Sequence, residues 1–249
     1  HSSHRRQRQM CIRDRQGVVL DFALFRTHLW DRARQHGVEL LNGCRVSLDR
    51  LKAQSADVIL ASAEETQLRT VDLVVDATGP GRHLQRQAGV AIESRDDSLL
   101  SGDGVEWLLQ GDPRSTAPWR DRLSFMLGRH WMAHGYGWVF PMAHDQLKVG
   151  VCRLPPPHAD KVPLGRSLQR LLHRCGLDQL PVLDRHGGRV ASTIRRRQPL
   201  GAGALWAAGD AASTANLLGG EGIRHAMDSA SVLSECLLKE GSHQDYQVA

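Results

Sequence analysis

The amino-acid sequence predicts an α/β protein in which an antiparallel sheet is inserted into a nucleotide-binding unit. Three observations indicate this class. Apolar strands and helical patterns alternate up to about residue 90, closely spaced strands with Gly and Pro between them follow, and a strand–turn–helix unit returns near the C-terminus. The predicted organisation is a nucleotide-binding unit made of residues 16–90 and 199–249, and a sheet domain over residues 91–198.

The individual elements follow from the spacing of apolar residues. Apolar positions at Leu24, Phe25, Leu29 and Ala33 predict a helix over residues 23–36 that ends at Gly37. The short β-branched run 71–77 is typical of a strand buried on both faces. The further predictions are strands at 18–20, 38–48, 104–110, 122–127, 136–142, 146–154 and within 182–194, a hairpin of 58–60 with 66–70, and helices at 82–88 and 164–175.

Composition excludes several classes of protein. The 249 residues contain no apolar run near the roughly 18–20 residues of a membrane-spanning helix. Five scattered cysteines without CxxC spacing argue against a disulfide framework or a zinc site and favour a reducing, cytoplasmic compartment. The net charge of +5 comes almost entirely from arginine, without the aromatic-interleaved basic stripe of a nucleic-acid-binding protein, so no nucleic-acid partner is predicted.

Two kinds of catalytic site are not predicted. The thirteen histidines show neither HExxH nor paired HxH spacing, so we expect no metal site. Ser124 and Ser213 lack the nucleophile elbow of triad hydrolases. Residues 195–197, a run of three arginines, could meet a phosphate group, but a solvated turn is the simpler interpretation.

Residues 1–15 have no periodicity and no signal-peptide or transit-peptide pattern, and part of this segment resembles a translated sequencing adapter. We expect it to be non-native, which would make the chain a fragment of a longer protein. It is left out of the fold prediction.

The most specific stretch is residues 204–238. A short apolar strand ends at Gly209 and Asp210, where open α/β sheets bind their ligands. An acid at this point can hold a ribose or ribityl hydroxyl. Glycines at the start of the following helix let backbone N–H groups approach an electron-rich ring, so the unit predicts a flavin site. The simpler alternative is a capped surface helix with Asp210 as a turn residue. The glycines are Gly219, Gly220 and Gly222, and the predicted apolar face of the helix is Ile223, Ala226, Met227, Ala230, Leu233 and Leu237.

The same stretch resembles the geranylgeranyl reductase family, flavoproteins with the aromatic-hydroxylase fold whose pattern runs GDAAG…NPLTGEGI. Residues 209–212 (GDAA) and 216–223 (NLLGGEGI) match it, with Ser213, Leu217 and Gly219 as departures. The resemblance implies a partial FAD-binding Rossmann-like domain with an inserted antiparallel-sheet substrate domain. It also implies that Asp210, with Gly209 and Ala211, binds the ribityl or pyrophosphate region of FAD, and that Gly222 and Ile223, with Gly219 and Gly220, contact the isoalloxazine.

A second match is HGYGWVFP at residues 134–141, similar to the GYxWxFP segment of this family. Strand alternation places Tyr136, Trp138 and Phe140 on one side, and Pro141 limits pairing beyond them. The resemblance implies that these residues form the substrate face for an apolar isoprenoid. Aromatic residues that simply fill a core are the alternative.

Weaker matches complete the comparison. Residues 75–79 (VDATG) resemble a second nucleotide motif of the family, which packs beside the cofactor cleft, and Val46 corresponds to a position that touches the adenine by backbone. Phe22 stands where the family has an arginine directed at the cofactor. The chain contains no GxGxxG motif, so we expect it to hold the cofactor poorly by itself.

These resemblances imply an FAD-dependent oxidoreductase that reduces isoprenoid double bonds, with NAD(P)H or ferredoxin reducing the flavin. No side chain stands out as the catalytic acid. The alternatives are a flavin-dependent monooxygenase or halogenase, a lycopene-cyclase-type flavoprotein, and a non-enzymatic flavin- or lipid-binding module. A prenyl substrate would make peripheral membrane contact plausible.

Overall fold

The computed structural model describes residues 19–90, 100–154, 162–192, 199–216 and 221–248. Its helices are α1 (Phe22–Gln35), α2 (His83–Gln87), α3 (Pro113–Thr116), α4 (Leu164–Cys175), α5 (Ile223–Leu238) and α6 (His243–Val248). Its strands are β1 (Arg45–Leu51), β2 (Ala56–Ala61), β3 (Thr66–Val71), β4 (Val74–Asp76), β5 (Leu100–Gln110), β6 (Ser124–Leu127), β7 (Gly135–Pro141), β8 (Gln146–Arg153), β9 (Val182–Ser192) and β10 (Leu205–Ala207). Two 3₁₀ helices, Gly79–Gly81 and Gly209–Ala212, follow β4 and β10.

The first part of the chain forms a small three-stranded antiparallel sheet in the order β1-β2-β3. Its buried side packs around Ala56 and Val58, together with Leu84 from α2 and Leu205 from β10. The carbonyl of Lys52, just after β1, accepts a hydrogen bond from the N–H of Ala204. The sheet is therefore fixed to the entry of the last strand.

Strand β10 pairs in parallel with β4, with Leu205 opposite Val74 and Ala207 opposite Asp76. All three residues of β10 are buried. The prediction that the run 71–77 is buried on both faces is wrong, because Val75 is 38% exposed between the buried Val74 and Asp76. In the described part of the chain, only one face of β4 is covered.

The middle of the chain folds into a five-stranded antiparallel sheet in the order β6-β7-β8-β5-β9. One face is covered by α4, whose Leu168, Leu171 and Leu172 pack on Val149 and Val151 of β8. Among the described residues, no comparable buried cluster covers the opposite face, which is called the open face below. Strand β9 contacts both 3₁₀ helices, which brings the sheet against the end of the parallel pair.

The buried face of α5 overlaps only in part with the predicted one, because Leu233 is buried as predicted but other predicted positions are not. Its buried residues are Ser229, Leu233 and Cys236, whereas Ile223 is 38% and Met227 49% exposed. The reason is a polar contact: the Ser229 hydroxyl lies under the corner after β10 and occupies a core position that hydrophobic spacing assigns to apolar residues.

Several predicted boundaries are corrected. Val19 and Leu20, the described part of the strand predicted at 18–20, are not in a strand, and residues 38–44 precede β1 without strand pairing. Helix α1 exists as predicted but buries none of its residues. The hairpin and the predicted sheet strands are confirmed within a few residues, and α4 has the predicted bounds. In the described ranges, no helix is both long and apolar enough to cross a membrane.

Candidate functional site

The carboxyl ends of β4 and β10 meet at one corner of the molecule. Because the two strands are parallel, their ends lie at the same sheet edge, and the N–H of Ala208 donates to the carbonyl of Asp76. Each strand then enters a 3₁₀ helix, Gly79–Gly81 or Gly209–Ala212, and the two helices contact each other. The GDAA and DATG motifs, more than 130 residues apart, are thus brought together.

Gly209 is required at this corner for two reasons. Its backbone has φ +61°, a left-handed conformation that favours glycine. A Cβ atom built on it would lie 3.2 Å from the Cβ of Ala226 in α5. The Gly209 N–H donates to the Ser229 hydroxyl at 2.8 Å, which fixes the corner on α5.

The Asp210 carboxylate also lies at this corner. It is half-buried and accepts no hydrogen bond from the residues that the structure describes. Burial raises the pKa of Asp210 above its usual value. A partly desolvated acceptor of this kind suits a ligand hydroxyl.

Asp76 has a structural role beside it. Its buried carboxylate accepts hydrogen bonds from the Thr78 N–H and hydroxyl, at 3.0 and 2.6 Å, and from the N–H groups of Leu84 and Gln85, at 3.0 and 2.9 Å. These bonds fix the turn after β4 and satisfy the first turn of α2.

Two residues that the sequence did not single out tie the halves of the corner together. Gln85 donates to the carbonyl of Ala211 at 3.2 Å, and the buried Arg82 guanidinium donates to the Ser213 hydroxyl. Arg82 and Ser213 both have left-handed backbone, with φ of 48° and 57°. The available signal was Ser213 itself, a departure from the family pattern.

The segment between the corner and α5 is closed at its base by two backbone hydrogen bonds between Asn216 and Glu221. Gly219 and Gly220 lie outside the described residues. Gly222 begins α5, and a Cβ atom there would meet no atom within 4 Å. The space beside Gly222 is therefore not filled by packed side chains of the described chain, and Ile223 next to it is partly exposed.

Val46 lies on β1 and is 41% exposed. It pairs with Leu60 in the three-stranded sheet. Its role at a cofactor stays a prediction.

The aromatic residues of β7 lie on the open face of the five-stranded sheet. Tyr136 and Trp138 have ring centroids 5.9 Å apart, and Trp138 and Phe140 6.3 Å apart, which confirms that alternation places them on one side. All three are half-buried, and none belongs to the buried cluster under α4. The alternative that they fill the core is thus not supported. Pro141 ends the strand.

This face contains further residues that sequence analysis missed. Phe125 of β6 packs on Phe140, with centroids 5.2 Å apart. Tyr136 is paired with Cys152 of β8, and burial raises the pKa of both groups. The Trp138 indole N–H donates to Glu106 of β5 at 2.7 Å. An isolated acid in the otherwise apolar strand 104–110 was the signal for Glu106.

The corner passes a test of fit for a flavin nucleotide. It offers a half-buried carboxylate without a partner among the described residues, a left-handed glycine at Gly209 where a Cβ would be crowded, and, among the same residues, no atom within 4 Å of a Cβ at Gly222. These features suit a hydroxyl-bearing chain that leads to a flat ring.

Comparison with known proteins agrees with this geometry. No protein-family model matches the chain. It is 29% identical over 143 residues to digeranylgeranylglycerophospholipid reductase of Haloferax volcanii, a match covering 56% of this chain and 34% of that protein. It is 28% identical over 155 residues to menaquinone reductase of Mycolicibacterium smegmatis, covering 55% and 34%. The matched region thus spans about a third of these relatives.

A solved geranylgeranyl bacteriochlorophyll reductase-like protein from Thermoplasma acidophilum superposes with a TM-score of 0.66 at 23% identity, over 90% of this chain and 56% of that one. The chain resembles the geranylgeranyl reductase family. The mixed α/β fold with a Rossmann-like unit and an antiparallel sheet, predicted from that resemblance, is confirmed. A solved flavin-dependent brominase and a solved flavin-dependent halogenase superpose on this chain with TM-scores of 0.67 and 0.59 at 16% and 17% identity, so fold alone does not separate reductase from halogenase activity.

Proposed function

We propose that this chain is part of an FAD-dependent oxidoreductase that reduces carbon–carbon double bonds of isoprenoid substrates. The observation that carries the proposal is the half-buried carboxylate of Asp210, which has no hydrogen-bond partner among the described residues, at the joint end of two parallel strands. The named reductases among its relatives support the reaction class.

In this proposal, the corner binds the cofactor. Asp210 accepts hydrogen bonds from hydroxyls of the ribityl or pyrophosphate region, while Gly209 and Ala211 supply backbone at close range. The isoalloxazine contacts Gly222, Ile223 and the glycines before them, Gly219 and Gly220, and Val46 contacts the adenine. The 249 residues contain no GxGxxG motif, so we propose that a further segment of the natural protein supplies the pyrophosphate cradle.

The substrate wall in this proposal consists of Tyr136, Trp138, Phe140 and Pro141. Flavin supplies hydride chemistry when it is bound. The aromatic side chains orient the apolar chain and exclude water. Tyr136 stays neutral because its pKa is raised. NAD(P)H or ferredoxin is the proposed reductant. The scattered cysteines favour a cytoplasmic protein, and a prenyl substrate favours peripheral membrane contact.

The cofactor proposal is tested by titrating FAD into the chain and recording the visible spectrum and flavin fluorescence. We expect Asp210→Asn to weaken FAD binding at least tenfold, which is about 1.4 kcal/mol. Asp228→Asn, which removes an equal charge from an exposed position of α5, should leave binding unchanged. If neither the chain nor a longer natural chain containing it binds flavin, the proposal is wrong.

The stability of Asp210→Asn shows whether a loss of FAD binding comes from unfolding. Because the pKa of Asp210 is raised in the folded state, its ionised form opposes folding once the pH exceeds the unfolded pKa. Asp210→Asn should therefore be at least as stable as the parent at neutral pH, with the difference vanishing in acid. A loss of FAD binding then reflects the site and not unfolding.

The reaction is tested by anaerobic reduction of bound flavin, followed by addition of geranylgeranyl substrates. A reductase reoxidises the flavin and yields a product two mass units heavier. Oxygen-dependent reoxidation with an oxygenated or halogenated product would indicate a monooxygenase or halogenase. A product of unchanged mass would indicate a cyclase-type enzyme, and a flavin that no donor reduces would indicate a binding module.

A further inference from the structure

One row of paired residues crosses all five strands of the open face. Phe125 pairs with Trp138, Trp138 with Gly150, Gly150 with Glu106, and Glu106 with His186. The row is aromatic on β6 and β7 and ionisable on β5 and β9. The open face is therefore amphipathic along a single line.

The boundary between the two halves is set by Trp138. A Cβ atom on Gly150 would lie 2.2 Å from its ring, so the indole lies directly over β8. Its N–H reaches Glu106 at 2.7 Å, and the carboxylate of Glu106 is mostly buried. The apolar surface thus ends at a fixed hydrogen-bonding group.

Two paired glycines, which have no side chains, lie beside the Glu106 carboxylate. Gly104 pairs with Gly188 in the neighbouring row, on the same side as Glu106 and His186. A Cβ atom on Gly104 would make ordinary contacts, 3.7 Å from the Cβ of Cys152 and 4.0 Å from Trp138, and one on Gly188 would meet no described atom within 4 Å. The two glycines leave a shallow depression that continues from the aromatic wall.

The ionisable side chains around the depression already pair with one another. Oε1 of Glu106 lies 3.1 Å from Nε2 of His186 and 3.7 Å from Nζ of Lys148, while Oδ2 of Asp184 lies 3.1 Å from Nδ1 of His186. Lys148 also donates to the carbonyl of Leu20 at 3.3 Å. In the described part of this face, two carboxylates thus engage one lysine and one histidine.

This balance discriminates between head groups. A phosphate or diphosphate placed here would face two carboxylates, and it would have to compete with them for Lys148 and His186. A hydroxyl or carbonyl oxygen can join the hydrogen bonds without adding an uncompensated charge. The depression is therefore complementary to a neutral polar group.

We propose that the open face binds isoprenoids whose head is uncharged and hydrogen-bonding, such as an alcohol or a quinone, in preference to prenyl phosphates. The apolar chain lies on Phe125, Tyr136, Trp138 and Phe140, and the head lies over Gly104 and Gly188 against Glu106 and His186. This assignment rests on the proposed function for its substrate class and deepens it.

The test measures binding without flavin or reductant. Farnesol and farnesyl diphosphate are titrated separately into ¹⁵N-labelled chain, and the indole N–H resonance of Trp138, identified by its loss in Trp138→Phe, is followed by NMR. We expect farnesol to shift this resonance and to bind at least tenfold more tightly than the diphosphate. Glu106→Gln keeps an acceptor for the indole and should reduce that preference by about tenfold.

Asp103→Asn is the matched control, since it removes the same charge from β5 on the opposite side of the strand and should leave the preference unchanged. Asp184→Asn, at an exposed position, should weaken the preference even if Glu106→Gln folds poorly. Equal or tighter diphosphate binding by the parent would overturn the assignment, as would a Trp138 resonance that neither ligand moves. Failure of the proposed function appears instead as absent flavin binding or absent reduction.

Discussion

At the scale of single residues, the corner after β10 depends on Gly209. Its left-handed backbone and the 3.2 Å approach of a Cβ to Ala226 both oppose a side chain. We expect Gly209→Ala to lower the free energy of unfolding by about 1–2 kcal/mol, measured by urea denaturation. Gly165→Ala, at a helical position with open space, should be neutral or slightly stabilising. Equal effects of the two substitutions would contradict this account.

At the scale of elements, the packing of α4 on the five-stranded sheet relies on one close fit. A Cβ atom on Gly137 of β7 would lie 2.3 Å from Cδ1 of the buried Leu171. Leu171→Ala should cost about 2–5 kcal/mol through the cavity, and Gly137→Ala about 1–3 kcal/mol through overpacking. Because the added methyl group enters the space that Leu171 leaves, the double variant should cost clearly less than the sum. A strictly additive denaturation cycle would exclude direct contact.

At the scale of the whole molecule, stability should be uneven. Val149 and Val151 of β8 are fully buried in the largest core cluster, whereas α1 buries none of its residues. We expect amide hydrogens of β8 to exchange with solvent slowest and those of α1 fastest, by at least a hundredfold, in hydrogen-exchange mass spectrometry. Comparable protection of α1 and β8 would show that α1 is covered by contacts absent from the described chain.

Sequence patterns predicted a helix or strand well where the spacing of its apolar residues matches the face that it buries. Helix α4, with Leu168, Leu171 and Leu172 facing the sheet, has the predicted bounds. They failed where a continuous apolar run is covered on one face only, and where a polar side chain fills a core position. Val75 is exposed despite its apolar run, and Ser229 takes a core position of α5 because it caps the Gly209 amide. The spacing of apolar residues cannot predict such a hydrogen bond.

By itself, the sequence determined the α/β class, the antiparallel middle part, the Asp210 corner and the shared side of the β7 aromatics, because local pattern and motif spacing encode these features. Only the tertiary structure showed the hydrogen bond between the Ala208 N–H and the Asp76 carbonyl. It also showed that strand pairing aligns Phe125, Trp138, Glu106 and His186 in one row. The reason is that strand order and register bring together residues distant in the chain, and neither is written in the spacing of any single segment.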